Sequence, residues 1–273
     1  MAKKLTPLEP LSEEVLAALR ENNEAHKGID PIIEIEDVQM IFNIANEQLT
    51  NLKEYFIKIA KGELFYREFI ALKNVSLNIY PGERYGLVGI NGSGKSTLLK
   101  CIAGVLDPTQ GCVRCYGTMA PLIELGAGFD PELTARENTY LNGALLGYTK
   151  DFIDKNFDSI ISFAEVEDFV DMPLKNYSSG MQARIAFAIA TATIPDILVV
   201  DESLSVGDFK FRQKCEARIN ELVETHGTTL LFVSHNSDEV KRVCNRAIWI
   251  DRGTMRMVGD VDAVLDAYNA PEN

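Results

Sequence analysis

The chain has 273 residues, of which 25% are charged and 46% are hydrophobic, and its formal net charge is −13. This length suits one large α/β domain or two small ones, and the composition is ordinary for a soluble globular protein. The acidic balance argues against broad, nonspecific nucleic-acid binding, which needs a basic face. No apolar run approaches the ~20 residues of a membrane span, and the start of the chain has no apolar signal-peptide core. We therefore expect a cytosolic chain that does not bind nucleic acid.

The N-terminal residues 1–30 are polar, and we expect them to form a partly helical appendage outside the domain core. A helix is predicted to begin after Ser12, because serine caps helix N-termini well. The apolar residues that fall on one face of this helix are Val15, Leu16 and Leu19.

A strand and then a helix are predicted next. Residues 32–41 alternate in the manner of a first strand, whereas residues 46–60 show a helical period with charges between the apolar positions. The apolar stripe of this helix consists of Leu49, Leu52, Phe56 and Ile59. The stripe could cover the domain's own sheet or dock on a partner, and the sequence leaves both alternatives open.

Strand character returns at residues 71–90, where a phosphate-binding motif begins. Residues 89–97 read GINGSGKST and match the spacing G-x-x-x-x-G-K-[ST]. Glycines let successive backbone N–H groups face one anion, Lys95 can reach the β- and γ-phosphates, and the Ser96 hydroxyl can ligate Mg²⁺. An ordinary glycine-rich turn is the alternative, but the flanking strand and helix favour a nucleotide site. The candidate nucleotide-binding residues of this loop are Gly89, Asn91, Gly92, Ser93, Gly94, Lys95, Ser96 and Thr97.

The five cysteines suit reduced thiols rather than a disulfide framework. Cys112 and Cys115 form a C-x-x-C pair, which could indicate zinc. Residues 111–116 have strand character, however, and positions three apart in a strand point to opposite faces. Since no second pair has zinc-finger spacing either, we expect structural thiols.

Residues 131–194 are mostly helical by pattern, and two continuous apolar runs follow at 197–200 and 229–233. Such runs are typical of parallel strands covered on both faces, whose carboxyl ends collect the chemistry of the site. Asp201 can complete a Mg²⁺ shell, and Glu202 can accept a proton from an attacking water. Adjacent acids that merely cap a helix are the alternative. His235 follows the second run, where a structural role and a γ-phosphate contact both remain open.

A second anion site is predicted in YSSGMQARIAFAIA, residues 177–190. Ser178, Ser179 and Gly180 stand where a helix should start, and ordinary capping is the default explanation. An exposed helix start of this composition also binds anions. One chain then has two anion-binding helix starts, and a nucleotide held between two molecules would act as a switch.

The motifs at 89–97, 177–181 and 197–202, followed by His235, resemble in order and spacing the nucleotide-binding domain of ABC transporters. The resemblance covers nearly everything from residue 31 to about residue 260. Within that family the chain is similar to the ATPase subunits that export polysaccharide, O-antigen or teichoic acid chains. The segments that carry this finer likeness are residues 177–190, LIELGAGFDPELTARENTYLNG at 122–143, SVGDFKF at 205–211 and the helix near 46–60.

The resemblance implies an α/β fold: a P-loop NTPase (RecA-like) core with a mainly parallel sheet, an antiparallel β part and an ABC-type α-helical subdomain. It places one nucleotide-binding domain at 31–273. Within that domain we expect the helical insertion at about 46–60, the helical subdomain at about 131–194 and a short C-terminal tail at about 254–273.

Family roles can be carried over for part of the site. Lys95, Ser96 and Thr97 would bind phosphate and Mg²⁺, Glu202 would be the catalytic base, and His235 would sense the γ-phosphate. The residues expected to act across a dimer of two copies are Ser178, Ser179, Gly180 and Asp208.

Other positions depart from the common family pattern or leave a choice. The aromatic that stacks on adenine falls at Phe42, or at Tyr66 or Phe69 if the insertion shifts it. Glu124 stands where the family usually has a glutamine near Mg²⁺, and we include it among the candidate metal ligands with Ser96 and Asp201. Ser179 and Met181 replace residues that are commonly Gly and Gln, but the backbone N–H groups remain, so phosphate binding is expected to survive.

The implied function is transport driven by ATP and Mg²⁺. Two copies would close around two ATP molecules and pass the motion to a separate membrane permease from the cytoplasmic face, with residues 122–143 and 46–60 as the docking surface. The implied cargo is a lipid-linked polysaccharide, and a drug or lipid cargo stays open. Some relatives have a C-terminal sugar-binding domain, which we do not expect here.

Two rival functions are disfavoured. A soluble ABC ATPase that works on DNA or the ribosome would usually have tandem units or a long coiled-coil insertion, and the charge of −13 also counts against it. A nonhydrolytic clamp is disfavoured by the presence of Glu202 and His235.

Overall fold

The computed structural model of the protein describes residues 10–45, 66–123, 125–201, 208–234 and 236–270. Within these ranges the strands form one twisted sheet. The strands are β1 (Ile33–Ala45), β2 (Tyr66–Ile79), β3 (Arg84–Val88), β4 (Gln110–Cys115), β5 (Met119–Leu122), β6 (Ile197–Val200), β7 (Thr229–Val233), β8 (Arg246–Asp251) and β9 (Thr254–Asp260). The helices are α1 (Glu13–Ala25), α2 (Lys95–Ile102), α3 (Ala135–Leu145), α4 (Lys150–Ala164), α5 (Ser179–Ala190), α6 (Phe209–Asn220), α7 (Ser237–Val243) and α8 (Val261–Asn269).

The sheet combines a parallel core with an antiparallel part, in the order β4-β1-β2-β9-β8-β3-β7-β6-β5. Strands β5, β6, β7, β3 and β8 pair parallel with one another in that order, whereas β9 pairs antiparallel with β8. Every residue of β6 is buried, since apolar side chains there face helices on both sides of the sheet. Strands β1, β2 and β4 pair antiparallel. These findings confirm the predicted fold class, including the two buried parallel strands.

This topology collects three chain segments at one edge of the sheet. Parallel neighbours point the same way, so the loop after β3, Asp201 after β6 and Ser234 after β7 all emerge at the carboxyl ends of adjacent or next-adjacent strands. The sheet order therefore places the phosphate-binding motif beside the predicted metal ligand.

The N-terminal helix α1 packs on the main core of the sheet. It begins as predicted after Ser12, whose hydroxyl accepts a hydrogen bond from Val15 N at 3.3 Å. The Val15 side chain is 1% exposed and belongs to the core that contains β1, β2 and α2. Asn22 Nδ2 donates to the Tyr85 hydroxyl and to Asn78 O, each at 3.3 Å. The domain boundary at residue 30 stays a prediction, but the helix shares its core with the sheet.

Helices α3, α4 and α5 form the helical part predicted for residues 131–194, and they have their own apolar core. A capping box opens α3: the Thr134 hydroxyl accepts from Glu137 N, and the Glu137 carboxylate accepts from Thr134 N. Glu165 closes α4 in the left-handed conformation, with φ 59° and ψ 47°. The chain can then turn back towards α5.

The two cysteines of the C-x-x-C pair lie on opposite faces of β4, as the strand period predicts. Cys115 Sγ donates to Ile102 O on α2 at 3.5 Å, whereas Cys112 Sγ donates to Glu36 Oε2 on β1 at 3.4 Å. Their side chains therefore point away from each other. In the part of the chain that the structure describes, no helix combines the length and apolarity needed to cross a membrane.

Candidate nucleotide-binding site

The phosphate loop connects β3 to α2 and depends on two glycines for its path. Gly89 has φ 150°, and a Cβ there would lie 2.2 Å from Ile250 O. Gly94 has φ 114°, and a Cβ would lie 2.7 Å from Ala71 O. A side chain at either position would collide with backbone, so the curled path requires glycine.

The turn between β8 and β9 supports this loop from outside. Gly253 N donates to Ser93 O at 2.8 Å, and Gly253 O accepts from Lys73 N at 2.9 Å. Gly253 itself has φ 80°, and a Cβ there would lie 2.7 Å from Ala71 O. No local sequence pattern marks Gly253 for this role, because the role arises from a contact between distant parts of the chain.

Lys95 occupies the centre of the loop. Its side chain is only 5% exposed, and Nζ donates to Gly89 O at 2.7 Å and to Ile90 O at 3.0 Å. A buried ammonium needs such acceptors or an anion. The hydroxyl of Ser93 is also buried, and no hydrogen-bond partner for it is found in the described structure. The loop therefore concentrates donors around the start of α2, where the helix dipole favours an anion.

A cavity of about 200 Å³ opens above the loop. It is lined by Phe69, Ala71, Asn91, Gly92, Ser93, Gly94, Lys95, Ser96, Thr97, Asp201 and Val233. The structure thus brings the loop residues Asn91 to Thr97 and Asp201 together round one cavity. Ser96 and Asp201 supply a hydroxyl and a carboxylate to one cavity, which is the oxygen donor set that Mg²⁺ prefers. The buried Lys95, the orphaned Ser93 hydroxyl and these oxygens together fit a nucleotide phosphate group with Mg²⁺.

The structure places Phe69, rather than Phe42, in this cavity. The two residues face each other across the β1–β2 ladder. Phe42 is half-buried and packs on the main core, whereas Phe69 is 47% exposed and lines the cavity. The role of Phe42 as the stacking aromatic stays a prediction, and Phe69 is the candidate that lines this cavity. Phe69 is one of the alternatives that the sequence leaves open.

The second predicted anion site lies at the start of α5. Ser178 is the N-cap residue, and its hydroxyl accepts from Met181 N at 3.2 Å. Ser178 and Ser179 are exposed, and the first turn of α5 contains no acidic residue. The buried Tyr177 donates from its hydroxyl to Phe169 O at 2.7 Å and fixes the approach to the helix. Ser178, Ser179 and Gly180 do not line the cavity at the phosphate loop.

Asp208 is the N-cap residue of α6. Its Oδ1 accepts from Phe211 N at 2.9 Å, and its Oδ2 accepts from Arg184 Nη2 on α5. The hydrogen bond from Phe211 N, reinforced by the charge of Arg184, lowers the pKa of the Asp208 carboxyl. Asp208 is therefore ionised at neutral pH.

Glu124, Glu202, His235 and residues 46–60 lie outside the described residues, and their roles stay predictions. Ser234, which precedes His235, is 9% exposed and donates from its hydroxyl to Glu239 Oε2 at 2.8 Å. A second cavity of about 620 Å³ lies between α6 and α7, with Asp201 at its edge. Its described lining contains no residue of the phosphate loop, so we assign the nucleotide phosphates to the smaller cavity.

A strand, a glycine loop and a helix start with a buried lysine define a P-loop nucleotide-binding protein. The ABC transporter family model matches residues 72–205. The chain is 39% identical over 242 residues to an O-antigen export system ATP-binding protein, RfbB, of Klebsiella pneumoniae, with 88% of this chain and 98% of that protein covered. It is 41% identical to the teichoic acids export ATP-binding protein TagH of Bacillus anthracis, covering 87% of this chain and 42% of that protein. The chain belongs to the ABC transporter family, among its ATPases.

Solved structures agree with this assignment. A dimeric ATP-binding cassette, MJ0796, in a post-hydrolysis state bound to ADP and Pi has a TM-score of 0.66 at 25% identity. The match covers 84% of this chain and 98% of that chain. An ATP-binding subunit of an ABC transporter has the same fold, with a TM-score of 0.67 at 19% identity, over 87% of this chain and 93% of that chain.

Proposed function

We propose that this chain hydrolyses ATP as a homodimer and powers export of a lipid-linked cell-surface polysaccharide through a separate membrane permease. The observation that supports the dimer is that the two candidate anion-binding helix starts do not share a cavity. The start of α2 belongs to the phosphate-loop cavity, whereas the exposed Ser178 and Ser179 and the half-buried Gly180 at the start of α5 lie outside it. A second copy would bring its α5 start to the γ-phosphate held by the first copy.

The chemistry would be divided among the residues of each site. Lys95 would neutralise the β- and γ-phosphates, and Phe69 would stack on the nucleobase. Ser96, Asp201 and Glu124 would hold Mg²⁺, which would supply positive charge to balance the charge that develops on the transferred phosphate.

Two further residues would complete the hydrolytic step. Glu202 would accept a proton from the attacking water, and His235 would contact the γ-phosphate. Asp208 would extend the contact between the two copies. Loss of the γ-phosphate would release the α5 start of the partner and open the dimer.

The permease and the cargo are proposed from the relatives. The Klebsiella pneumoniae and Bacillus anthracis proteins are named for O-antigen export and teichoic acids export. We propose that the chain works at the cytoplasmic face of the plasma membrane, docked through residues 46–60 and 122–143. Leu141 is 37% exposed within the second segment and offers an apolar contact on α3.

A pull-down of the tagged full chain from gently solubilised membranes of its own host tests this function. The expected result is a polytopic permease encoded beside glycosyltransferases. Leu141→Asp is expected to reduce the recovered permease while ATP hydrolysis by the isolated chain is unchanged. Recovery of ribosomes or DNA-bound proteins in place of a membrane protein would contradict the transport role and leave the ATPase assignment intact.

A further inference from the structure

Arg184, in the second turn of α5, joins three helices. Its side chain is 19% exposed, and its guanidinium bridges two carboxylates from different elements. Nη1 donates to Glu165 Oε2 at 3.1 Å, and Nη2 donates to Asp208 Oδ2. The guanidinium also lies 5.0 Å from the centre of the Phe211 ring. The planar fork of guanidinium donors suits both the bridge between two acids and the contact with the ring.

Glu165 is fixed from the opposite side. Its left-handed backbone closes α4, and its second oxygen, Oε1, lies 3.2 Å from Lys214 Nζ. Lys214, on α6, also donates from Nζ to Phe163 O at 2.8 Å. The end of α4 is therefore tied to both α5 and α6.

An aromatic layer lies beneath these charges. Phe163, Phe187 and Phe211 come from α4, α5 and α6, and their ring centres are separated by 5.8 to 6.4 Å. Phe187 and Phe211 are 1% and 2% exposed. Close packing of this kind allows little independent movement of the three helices.

We propose that Arg184 is a positioning residue that couples the serine–glycine anion site at the start of α5 to the start of α6. Asp208 directly follows residues 202–207, which include the proposed catalytic base, Glu202. Arg184 would therefore fix the position of the α5 start, which faces the partner, relative to the segment that contains this base. The inference rests on the proposed function, because the α5 start matters for ATP-driven dimerisation. It adds a residue that touches no nucleotide and acts through Asp208.

The test measures the dimer dissociation constant by sedimentation with ATP and Mg²⁺, in a Glu202→Gln background that stalls turnover. We expect Arg184→Gln to raise this constant by about tenfold, while the ATP affinity of the monomer stays within about twofold. Asp208→Asn removes the charge but keeps a good N-cap for α6. The dimer dissociation constant of the double variant is expected to be no higher than that of the more impaired single variant, because both changes break the same contact.

Arg136 provides a matched control on α3. Its Nε donates to Asp171 Oδ1 at 2.8 Å, and its guanidinium lies 4.8 Å from the centre of the Phe157 ring. Arg136→Gln therefore removes a similar ion pair and ring contact without touching α5 or α6. We expect it to leave the dimer constant unchanged, with the melting temperature recorded for every variant. Arg184→Lys is the second variant: it preserves the charge but lacks the planar fork of donors, and we expect it to dimerise better than Arg184→Gln and less well than the parent.

Several outcomes would overturn the coupling. One is that Arg136→Gln weakens dimerisation as much as Arg184→Gln does. A second is that the effects of Arg184→Gln and Asp208→Asn on the free energy of dimerisation are fully additive. A third is that Arg184→Lys dimerises as well as the parent. A Glu202→Gln parent that stays monomeric with ATP would overturn the proposed dimeric mechanism itself, and with it the role of Arg184. Dimerisation of the parent with no effect of Arg184→Gln or Arg184→Lys would overturn the coupling alone.

Discussion

Lys95 shows at the scale of one residue how the loop is prepared for an anion. Its ammonium is almost completely removed from water, and the carbonyls of Gly89 and Ile90 hold it inside the loop. A phosphate would add a full negative charge to these partial ones, in a place where water competes weakly. The residue is thus positioned by the chain before the nucleotide arrives.

Lys95→Ala is expected to weaken ATP binding by about tenfold to a hundredfold, because a hydrogen bond to a charged group contributes about 1.5–3 kcal/mol. Isothermal titration with ATP and Mg²⁺ measures this change. Lys100→Ala is the control, since Lys100 lies in the last turn of the same helix and outside the cavity lining. Equal affinity of the Lys95 variant and the unmodified chain would contradict the assignment of the phosphate site.

The facing aromatics Phe69 and Phe42 are expected to separate binding from stability. Phe69→Ala should weaken ATP binding by about 1–3 kcal/mol, the usual worth of stacking on a base, but should not change binding of inorganic triphosphate. Phe42→Ala should instead lower the free energy of unfolding by roughly 2 kcal/mol, since it removes a half-buried ring from the core. Reduced ATP binding in the Phe42 variant alone would restore the sequence-based choice.

At the scale of elements, the turn between β2 and β3 shows how distant parts of the chain meet. Glu83 in this turn is 6% exposed, and its Oε2 accepts from Tyr80 N at 2.8 Å. Its Oε1 faces Arg246 Nε at 3.5 Å and His26 Nε2, just beyond α1, at 3.9 Å. Burial raises the pKa of the Glu83 carboxyl despite these partners.

This raised pKa predicts a pH dependence of stability. The stabilising contribution of the protonated carboxyl is fully present below its unfolded-state pKa and is lost as pH rises through the raised folded-state pKa. Glu83→Gln cannot ionise, so its free energy of unfolding should rise relative to that of the unmodified chain across this interval. Urea unfolding at a series of pH values measures the free energy of unfolding of both proteins. Titration of the other groups contributes equally to both values and cancels when one is subtracted from the other. Parallel curves for the two proteins would contradict the effect of burial.

Local sequence patterns predicted those helices and strands well whose determinants all lie within one chain segment. Ser12 predicted the start of α1, and the apolar run 197–200 predicted a strand buried on both faces. The choice between Phe42 and Phe69 could not be made locally, because residues 46–65 separate the paired strands in the chain and the ladder has register shifts. The contact between Gly253 and Ser93 also depends on the folded sheet.

At the scale of the whole molecule, the sheet gathers the phosphate loop and Asp201 round one cavity and leaves the α5 start outside it. The described helices α4, α5 and α6 join that outlying site to the core through Arg184. A single copy therefore presents one candidate nucleotide site and one separate candidate anion site. Two copies related by a two-fold axis would complete both sites at once.

In the proposed mechanism, ATP joins two copies of the chain and hydrolysis separates them. Light scattering of the Glu202→Gln variant with ATP and Mg²⁺ tests it most directly, with ADP and the Lys95→Ala, Glu202→Gln double variant as controls. We predict twice the monomer mass with ATP, and the monomer mass with ADP and in the double variant. A Glu202→Gln variant that binds ATP and keeps the monomer mass would contradict the shared-site mechanism.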